Sequence, residues 1–390
     1  MISLLRKTSV GLAISLVATV AHAEAPSLRI PGYVVGARPS ALGGAFTAVA
    51  DDQNALFYNP AGLAKLDSKF AALADMSATF SLGSGGFGAM VDDFDKVAAS
   101  TKGFSSGGST PDMIDKFAKI GDVVSSRTAA MGSKLQSYWA QQRWGFAATI
   151  GFDFGLGVHA KVLPELADMA VNGDLDARIG YAHPFLDGKL NLGLAPYYKL
   201  RAQGGRANFS LADAVDAKQT LKSIIGIGHG VGVDFGMMVT PIEAMSPTFG
   251  LAVLNVGDTR LYKTGSSLFA DVPLFSDIEV LGAPDLIKQI VNVGFSISPV
   301  DGPGFVRLSG ELREINRPSA GELKPAFGAE AGFRSRYIRA LIDGGWGNGG
   351  WSAGVELRSF LKLRLASYIE PNLFFDRKEN QRVWLLTFGL

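Results

Sequence analysis

The sequence predicts an all-β fold: a transmembrane antiparallel β-barrel of about 14 strands, with an N-terminal plug and a helical insertion in one outer loop. Three observations predict it. The chain is apolar, with a mean hydropathy of +0.19, yet after residue 23 it has no run of about 18 uncharged apolar residues that could form a spanning helix. Many segments alternate apolar and polar residues. The connections between these segments sort into a long set and a short set.

The alternation has the period of a β-strand, in which successive side chains point to opposite faces. Between positions 291 and 298, Val, Val, Phe and Ile alternate with Asn, Gly, Ser and Ser. In a membrane barrel the apolar set faces lipid and the polar set faces the lumen. The segments predicted as strands are 70–82, 142–150, 154–162, 173–183, 189–201, 229–239, 247–256, 291–298, 304–314, 325–334, 337–343, 350–358, 362–370 and 381–389.

The lengths of the connections support a membrane barrel over a soluble sandwich. If the first strand starts at the periplasm, the connections on the far side are 83–141, 163–172, 202–228, 257–290, 315–324, 344–349 and 371–380. Those on the near side are 151–153, 184–188, 240–246, 299–303, 335–336 and 359–361. Every long connection falls on the far side, which is the pattern of outer-membrane barrels.

The first 23 residues read as a signal peptide. Arg6 and Lys7 precede an apolar run, and Ala21-His22-Ala23 forms a small-residue cleavage site. We therefore expect cleavage near Ala23 and a location in the bacterial outer membrane. The chain contains no Cys, which excludes a lipoprotein anchor and a disulfide framework. Its 37 basic and 36 acidic residues nearly cancel, so nothing in the charge favours nucleic acid as a partner.

The last predicted strand has the pattern of a barrel's C-terminal strand. Trp384, Leu386, Phe388 and Leu390 share one face and run to the end of the chain. Such strands are recognised by the barrel-assembly machinery, which we therefore expect as a partner together with the outer-membrane bilayer. The pattern usually closes on an aromatic residue, whereas this chain closes on Leu390.

Residues 24–69 differ in texture from the predicted barrel, 70–390. Gly43-Gly44 permits close backbone packing. Asp51-Asp52 is typical of the start of a helix or of an Asx turn. Asn59-Pro60 predicts a turn, because Pro60 fixes its own φ angle and keeps Asn59 out of the helical conformation. With Ala61, these residues could fold into a barrel lumen if their backbone groups found partners there.

The run from Arg38 to Ala64, which contains Asn59-Pro60-Ala61, resembles the N-terminal plug of the FadL-like outer-membrane barrels, which include PorV/PorQ and TraF-like plasmid-transfer branches. The resemblance implies a hatch in the lumen and passive uptake of a hydrophobic small molecule with lateral release into the membrane. It also allows a non-transporting scaffold or interaction protein in a secretion or conjugation system. A plug that merely caps the barrel explains the motif equally well. The implied hatch residues are Gly43, Gly44, Asp51, Asp52, Asn59, Pro60 and Ala61.

Two predicted outer loops are unusually apolar. The helical loop within 83–141 and the loop 262–290 present apolar side chains at a density that indicates a cover, a ligand or a partner. By the same resemblance, a lipid or long-chain amphiphile would first bind there. The alternative is that the loops pack on each other as a lid. The candidate contact residues are Phe117, Leu268, Phe269, Leu274, Phe275 and Ile278.

Charged residues on the predicted lumen face most simply form ion-pair networks that fill the barrel. A polar path for a solute is the less favoured alternative. The acidic members are Asp174, Asp176, Asp234, Glu311, Glu330, Asp343 and Glu356. The basic members are Arg143, Lys161, Arg178, Lys199, Arg307, Arg313, Arg334, Arg339, Arg358, Lys362 and Arg364.

No enzyme is predicted. The sequence shows no pairing of a nucleophile with a base, and its histidines lack the spacing of a zinc site. We therefore expect no catalytic residue, no metal and no cofactor. Asn255, at the end of the strand 247–256, is expected to form a hydrogen bond at the start of a loop and not to bind a ligand.

Overall fold

The strands form one closed antiparallel barrel in the computed structural model. The model describes residues 36–66, 70–82, 128–158, 165–210, 225–264, 283–284, 286–316, 324–335, 338–371 and 380–389. The strands are β1 Phe70–Leu82, β2 Thr128–Gln141, β3 Trp144–Val158, β4 Glu165–Phe185, β5 Leu190–Ser210, β6 Ile225–Val239, β7 Thr248–Leu254, β8 Tyr262–Lys263, β9 Ile290–Val300, β10 Gly304–Arg313, β11 Lys324–Arg334, β12 Arg339–Gly347, β13 Gly350–Arg358, β14 Lys362–Pro371 and β15 Asn380–Gly389.

Fourteen of these strands form the wall of the barrel. Each pairs with its neighbours in the chain, and β1 pairs with β15 to close the circle, with Asp75 opposite Gly389. The remaining strand, β8, has two residues and pairs only with β6. The predicted architecture of about 14 antiparallel strands is therefore confirmed.

The agreement in number conceals two differences between the predicted and the observed strands, which cancel. Thr128–Gln141 forms β2, although it was assigned to the helical outer loop 83–141. Its alternation of outward Met131, Leu135 and Trp139 with inward residues is ordinary strand pattern. Residues 83–127 lie outside the described residues. The predicted strands 142–150 and 154–162 are one strand, β3, because Gly151-Phe152-Asp153 continues the ladder to β2 where a turn was expected.

The outer surface is apolar, as a spanning barrel requires. Alternate residues of β13 show the pattern: Trp351, Val355 and Leu357 are exposed, whereas Ser352 and Glu356 are buried. Aromatic contacts occur near both ends of the wall, with ring centroids 4.5 Å apart for Trp144–Tyr181 and 6.3 Å apart for Phe327–Trp346. These contacts match the aromatic girdles of membrane barrels.

The near side of the barrel has short turns, as predicted. They are 142–143, 186–189, 240–247, 301–303, 335–338 and 359–361. Arg143 occupies the first of these turns with a positive φ of 76° and is exposed, so its predicted place on the lumen face is wrong. The misplacement follows from starting a strand at residue 142, two residues before β3 begins.

The plug consists of residues 36–66 and lies inside the barrel. It contains helix α1 Ala37–Ala41, helix α2 Ala55–Tyr58 and a 3₁₀ helix Pro60–Lys65. None of the helices among the described residues is long and apolar enough to cross a bilayer. The predicted signal peptide, residues 24–35 and residues 67–69 lie outside the described residues.

Candidate functional site: the plug and its contacts with the wall

The Asn59-Pro60-Ala61 turn is buried inside the barrel. Asn59 has no exposed surface. Its side-chain Oδ1 accepts a hydrogen bond from the Ala61 N–H at 3.2 Å, which caps the 3₁₀ helix that Pro60 begins. Its Nδ2 donates to the carbonyl oxygens of Thr47, at 2.8 Å, and of Met237 in β6, at 3.3 Å. The turn therefore ties two plug segments to the wall.

Pairs of glycines across adjacent strands allow the plug to lie directly on the wall. We call these the glycine pairs: Gly145–Gly180, Gly193–Gly236, Gly250–Gly294 and Gly328–Gly345. A Cβ added at Gly236 would lie 2.0 Å from Asn59 Oδ1, and one at Gly193 would lie 2.4 Å from Ala61 N. These distances leave no room for a side chain at Gly193 or Gly236, so the backbone of the wall lies directly against the turn of the plug.

The other glycine pairs support other parts of the plug. A Cβ at Gly180 would lie 2.5 Å from Leu56 Cδ2, and one at Gly250 would lie 2.6 Å from the Thr47 carbonyl oxygen. A Cβ at Gly345 would lie 2.4 Å from the Leu42 carbonyl carbon. The sequence predicts glycines on the lumen face of several strands, but only the register between adjacent strands shows that these glycines lie opposite one another.

Gly43 and Gly44 lie in close contact with the wall, in backbone conformations that the sequence did not reveal. Their φ angles are +67° and +89°, in the region that glycine adopts without strain. A Cβ at Gly43 would lie 2.6 Å from the Trp346 carbonyl oxygen, and one at Gly44 would lie 2.4 Å from Arg313 Nη1. Both residues therefore serve a tight turn pressed against β10 and β12.

Asp51 and Asp52 belong to an ion-pair network that joins the plug to β10 and β11. Arg38 donates to Glu330 through Nε at 2.9 Å and Nη2 at 2.7 Å, a bidentate pair. The same guanidinium donates through Nη1 to Asp51 at 2.6 Å and to Asp52 at 3.0 Å. Arg307 of β10 bonds Asp51 at 2.8 Å and Glu330 at 3.1 Å.

Burial strengthens the charge interactions within this network, because a buried site has a lower dielectric constant than water. Burial by itself would raise the pKa of Asp51, but Arg307 and Arg38 outweigh that effect and hold the pKa well below its ordinary value. Burial would lower the pKa of Arg38, and Asp51, Glu330 and Asp52 raise it instead. Asp52 also accepts a hydrogen bond from the Asn54 N–H at 2.8 Å, which confirms the predicted Asx turn before α2.

Glu311 of β10 binds the backbone of the plug. One oxygen, Oε2, accepts hydrogen bonds from the N–H groups of Phe46, at 2.8 Å, and Thr47, at 2.7 Å. Two backbone donors on one carboxylate oxygen form a small anion site. Nothing in the sequence near residue 311 singled out this role, because the partners lie more than 260 positions away along the chain.

A second ion-pair network lies on the opposite wall. Arg178 of β4 bonds Asp176 at 2.8 Å and Asp234 of β6 at 2.9 Å. It also donates to the carbonyl oxygen of Leu56 in the plug at 3.1 Å, and its guanidinium carbon lies 4.3 Å from the centroid of the Phe57 ring. The predicted ion-pair filling of the lumen is therefore confirmed for these residues.

A cavity of about 30 Å³ lies beside this second network. It has room for about two water molecules, whereas an apolar cavity that takes benzene measures about 150 Å³. The residues that line it are Phe57, Lys134, Thr149, Gly151, Asp174, Asp176, Arg178, Lys199, Asp234, Leu254 and Asn255. In this conformation the cavity is a small space beside the plug, and many of its lining residues are charged.

Lys65 closes the plug on the near side. Its Nζ donates to the hydroxyls of Thr240, at 2.6 Å, and Thr248, at 3.1 Å. Burial, with Arg307 adding to it, lowers the pKa of Lys65 from 10.5 to about 8. The sequence analysis did not single out this residue.

Several predicted residues can now be placed. Asn255 forms its expected loop-start bonds: its side chain accepts from the Tyr197 hydroxyl at 2.5 Å and donates to the Lys288 carbonyl at 3.2 Å. Lys161 and the outer-loop candidates Phe117, Leu268, Phe269, Leu274, Phe275 and Ile278 lie outside the described residues. Leu390 also lies outside them, whereas Trp384, Leu386 and Phe388 are exposed on one face of β15, as predicted.

In the part of the chain that the structure describes, no group of three or more His, Asp or Glu side chains is arranged to hold a metal ion.

Comparison with known proteins identifies the fold. No protein-family model matches the chain, and no curated protein matches it. Among solved structures, a TodX monoaromatic hydrocarbon channel (a deltaS2S3 mutant) has a TM-score of 0.50 at 10% identity, over 90% of this chain and 97% of that chain. The Pseudomonas putida toluene transporter TodX scores 0.49 at 10% identity, over 90% and 95%. A Pseudomonas aeruginosa FadL homologue scores 0.46 at 10% identity, over 90% and 97%. The first likeness shows that the chain shares the β-barrel fold of that channel, in agreement with the predicted fold.

Proposed function

We propose that this protein is a passive channel of the bacterial outer membrane for hydrophobic small molecules. In this proposal the plug acts as a hatch that moves to release cargo sideways into the membrane. The observation that carries the proposal is the Asn59-Pro60-Ala61 turn, which lies on the Gly193–Gly236 pair and occupies the lumen where a molecule would have to pass. The likeness in fold to a hydrocarbon channel supports it.

The outer loops supply the first binding step in this proposal. The candidate contacts Phe117, Leu268, Phe269, Leu274, Phe275 and Ile278 remain proposed binding residues for a lipid or long-chain amphiphile. A hydrophobic molecule held there would be removed from water before it reached the charged lumen. The chemistry is binding and release alone, so the proposal includes no catalytic step.

The test is flux through the purified barrel in lipid vesicles. Two variants replace Asn59 or Pro60 by Gly, and vesicles with the unchanged protein serve as the reference. We expect altered uptake of a fluorescent fatty acid or of toluene, because the turn loses its cap or its fixed φ. Retention of the folded barrel is checked by its gel mobility before and after heating. Uptake equal to the reference in both variants would exclude the hatch.

A second candidate function is that of a scaffold for a secretion or conjugation partner, as in PorV- or TraF-like proteins. Two observations favour the scaffold. The ion pairs of Arg38 hold the plug in place, and several near-side turns expose apolar side chains that a protein partner could cover. The most exposed are Leu186, Ile242, Met245 and Phe360. Purification from solubilised outer membranes distinguishes the candidates, since a stoichiometric protein partner supports the scaffold and a co-purified apolar molecule supports the channel.

A further inference from the structure

An arginine lies on the lipid-facing side of the last strand. Arg382 of β15 has the same orientation as Trp384 and Leu386, which are exposed on the outside of the wall. Val383 and Leu385, which alternate with them, are buried inside the barrel. A charged side chain among lipid-facing residues is costly at the bilayer centre, and this cost falls toward the headgroups. Because β15 begins at the far side and Arg382 is its third residue, the arginine lies near the surface of the bilayer.

The guanidinium of Arg382 is held in place by two neighbouring strands. Its Nη1 donates to the Trp351 carbonyl oxygen in β13 at 3.3 Å and to the Ser367 hydroxyl in β14 at 3.1 Å. The side chain therefore reaches across β14 on the outside of the wall. Both acceptors are neutral, so these bonds position the guanidinium without balancing its charge.

The other edge of the guanidinium has no protein partner. Arginine has five N–H donors, and Nη1 carries two of them, which leaves those of Nε and Nη2. Among the described residues, no side chain or carbonyl accepts from these two nitrogens, and no carboxylate pairs with Arg382. Inside the barrel, Arg38 uses this same edge to bind Glu330, through Nε at 2.9 Å and Nη2 at 2.7 Å. The edge of Arg382 is thus a fixed site for two oxygens of one anion.

Three tryptophans place this edge at the level of the lipid headgroups. Trp351 pairs with Trp346 across β12 and β13, and Trp384 lies two residues from Arg382 in β15. Trp351 and Trp384 are 73% and 47% exposed on the outer face. Tryptophan is enriched where hydrocarbon meets headgroup, so the anion within reach of Arg382 is a lipid headgroup. In the outer membrane proposed above, these headgroups belong to the outer leaflet.

Toward the membrane centre, the surface beside the tryptophans is shallow. Ala329, Gly344 and Ala353 lie side by side in β11, β12 and β13, and Ser367 continues the row in β14. The next outward position along β13 is the larger Val355, which is exposed. The row of small residues therefore leaves a depression in which a hydrocarbon chain can pack against the wall.

We propose that the outer face of β13–β15 binds a phosphorylated lipid of the far-side leaflet. The phosphate accepts hydrogen bonds from Nε and Nη2 of Arg382, and an acyl chain lies over the row of small residues. Charge complementarity favours this occupant, because Arg382 brings a positive charge that no described carboxylate pairs with, and a phosphate offers the two oxygens that a guanidinium binds side by side. The proposal depends on the membrane-spanning barrel and not on the passage of cargo through it.

Binding at this site would stabilise the barrel beside its closing seam. Arg382 stands opposite Leu82 of β1 across the seam and is bonded to β13 and β14. A lipid that binds only the folded barrel shifts the unfolding equilibrium toward the folded state. We therefore expect such a lipid to raise the temperature at which the barrel unfolds.

Native mass spectrometry of the purified barrel in detergent measures the binding of lipid. Phosphatidic acid is the probe, because its headgroup is a phosphate, and phosphatidylcholine with the same acyl chains is the control lipid, because choline balances its charge. Arg382→Gln removes the positive charge, and Arg382→Lys keeps it but lacks the paired donors. Arg260→Gln is the matched control, since Arg260 is an exposed arginine in a far-side connection and has no ion pair among the described residues. Gel mobility before and after heating checks that each barrel is folded.

We expect the unchanged protein to bind phosphatidic acid about tenfold more tightly than phosphatidylcholine. The affinity for phosphatidic acid should fall about tenfold in Arg382→Gln, about threefold in Arg382→Lys and less than about twofold in Arg260→Gln. Phosphatidic acid should also raise the unfolding temperature of the unchanged protein and of Arg260→Gln, but not that of Arg382→Gln.

Equal affinity for phosphatidic acid in Arg382→Gln and in the unchanged protein would overturn the proposal, and so would equal affinity of the unchanged protein for the two lipids. Displacement of phosphatidic acid by an equal concentration of inorganic phosphate would overturn it in favour of a free anion. A dimer that Arg382→Gln abolishes in the absence of lipid would assign the face to a second copy of the chain. If Arg382→Gln fails to fold, Arg382→Lys provides the same test. Flux through vesicles is measured separately, so the channel function stands or falls independently of these results.

Discussion

Gly193 of β5 and Gly236 of β6 stand directly opposite each other in the barrel wall, and both lie against the Asn59-Pro60-Ala61 turn. The wall has the space of two missing side chains at this point, and the plug backbone fills it. The geometry of the turn and the composition of the wall are therefore one structural feature, made by residues more than 130 positions apart.

Gly236→Ala should loosen the plug. The new Cβ would lie 2.0 Å from Asn59 Oδ1 in the present geometry, so the turn must move away. We expect a loss of about 1–3 kcal/mol in the free energy of unfolding, measured by urea titration in vesicles, and faster proteolysis of the plug. Gly173→Ala is the control, because its Cβ would meet Ala202 Cβ at 3.9 Å and should cost little. Equal stability of the two variants would contradict the close contact.

Loss of the Asn59 side chain should lower the free energy of unfolding more than loss of an exposed asparagine side chain. In Asn59→Ala the buried carbonyls of Thr47 and Met237 lose their partner, which costs about 1–3 kcal/mol. Asn59→Asp should cost more, since an acceptor would then face those carbonyls. Urea titration measures both, with Asn316→Ala as the reference, which should lose less stability because its two hydrogen bonds, with the Val291 N–H and the Gln289 carbonyl, are exposed to water. A larger loss in the reference would refute the assignment.

Arg38 and Glu330 should be energetically coupled. Arg38→Ala leaves Glu330, Asp51 and Asp52 with less compensation in a buried site, and we expect a loss of about 3–5 kcal/mol. Glu330→Gln removes one of the charges that Arg38 balances, so the double variant should lose less than the sum of the single variants. A double-mutant cycle by urea unfolding measures this coupling. Additive losses would show that the pair does not bind the plug to β11.

Lys65 should make stability rise with pH between about 8 and 10.5. Its pKa in the folded protein is about 8, below the ordinary value of 10.5, so unfolding takes up a proton in this window. Stability therefore increases as the pH rises, and the gain is lost again as the pH falls toward 8. The measurement is the urea midpoint of the unchanged protein minus that of Lys65→Met across this range. A constant difference would mean that Lys65 keeps its ordinary pKa.

The outer apolar band should resist charge at its centre more than at its edge. Ile342 of β12 is 70% exposed on the lipid side, and Phe360 is 85% exposed in a near-side turn. Ile342→Arg should cost about 2–4 kcal/mol and Phe360→Arg about 0–1 kcal/mol, because the cost falls with distance from the bilayer midplane. Unfolding in vesicles measures both. A larger loss in Phe360→Arg than in Ile342→Arg would show that the centre of the bilayer does not lie at the level of Ile342.

Local patterns predicted the barrel and the presence of a plug, because alternation and turn signals are properties of neighbouring residues. They did not predict what depends on register. The Arg38–Glu330 pair spans 292 positions, and the Gly193–Gly236 pair requires knowledge of which strands align. The sequence shows the individual lumen-facing glycines but not which of them lie opposite each other on adjacent strands. β2 was missed for a different reason: its lumen face carries Lys134 and Gln136, and the surrounding insertion was interpreted as helical throughout.

The position of the plug also determines the order in which the molecule is built. Residues 36–66 precede β1 in the chain, and the seam that closes the wall joins β1 to β15, its last strand. Because wall glycines touch the plug backbone all around the lumen, the plug is best placed before that seam closes. We therefore expect this segment to act as an internal template while the barrel closes, and we expect a variant that weakens its contacts to be lost during biogenesis.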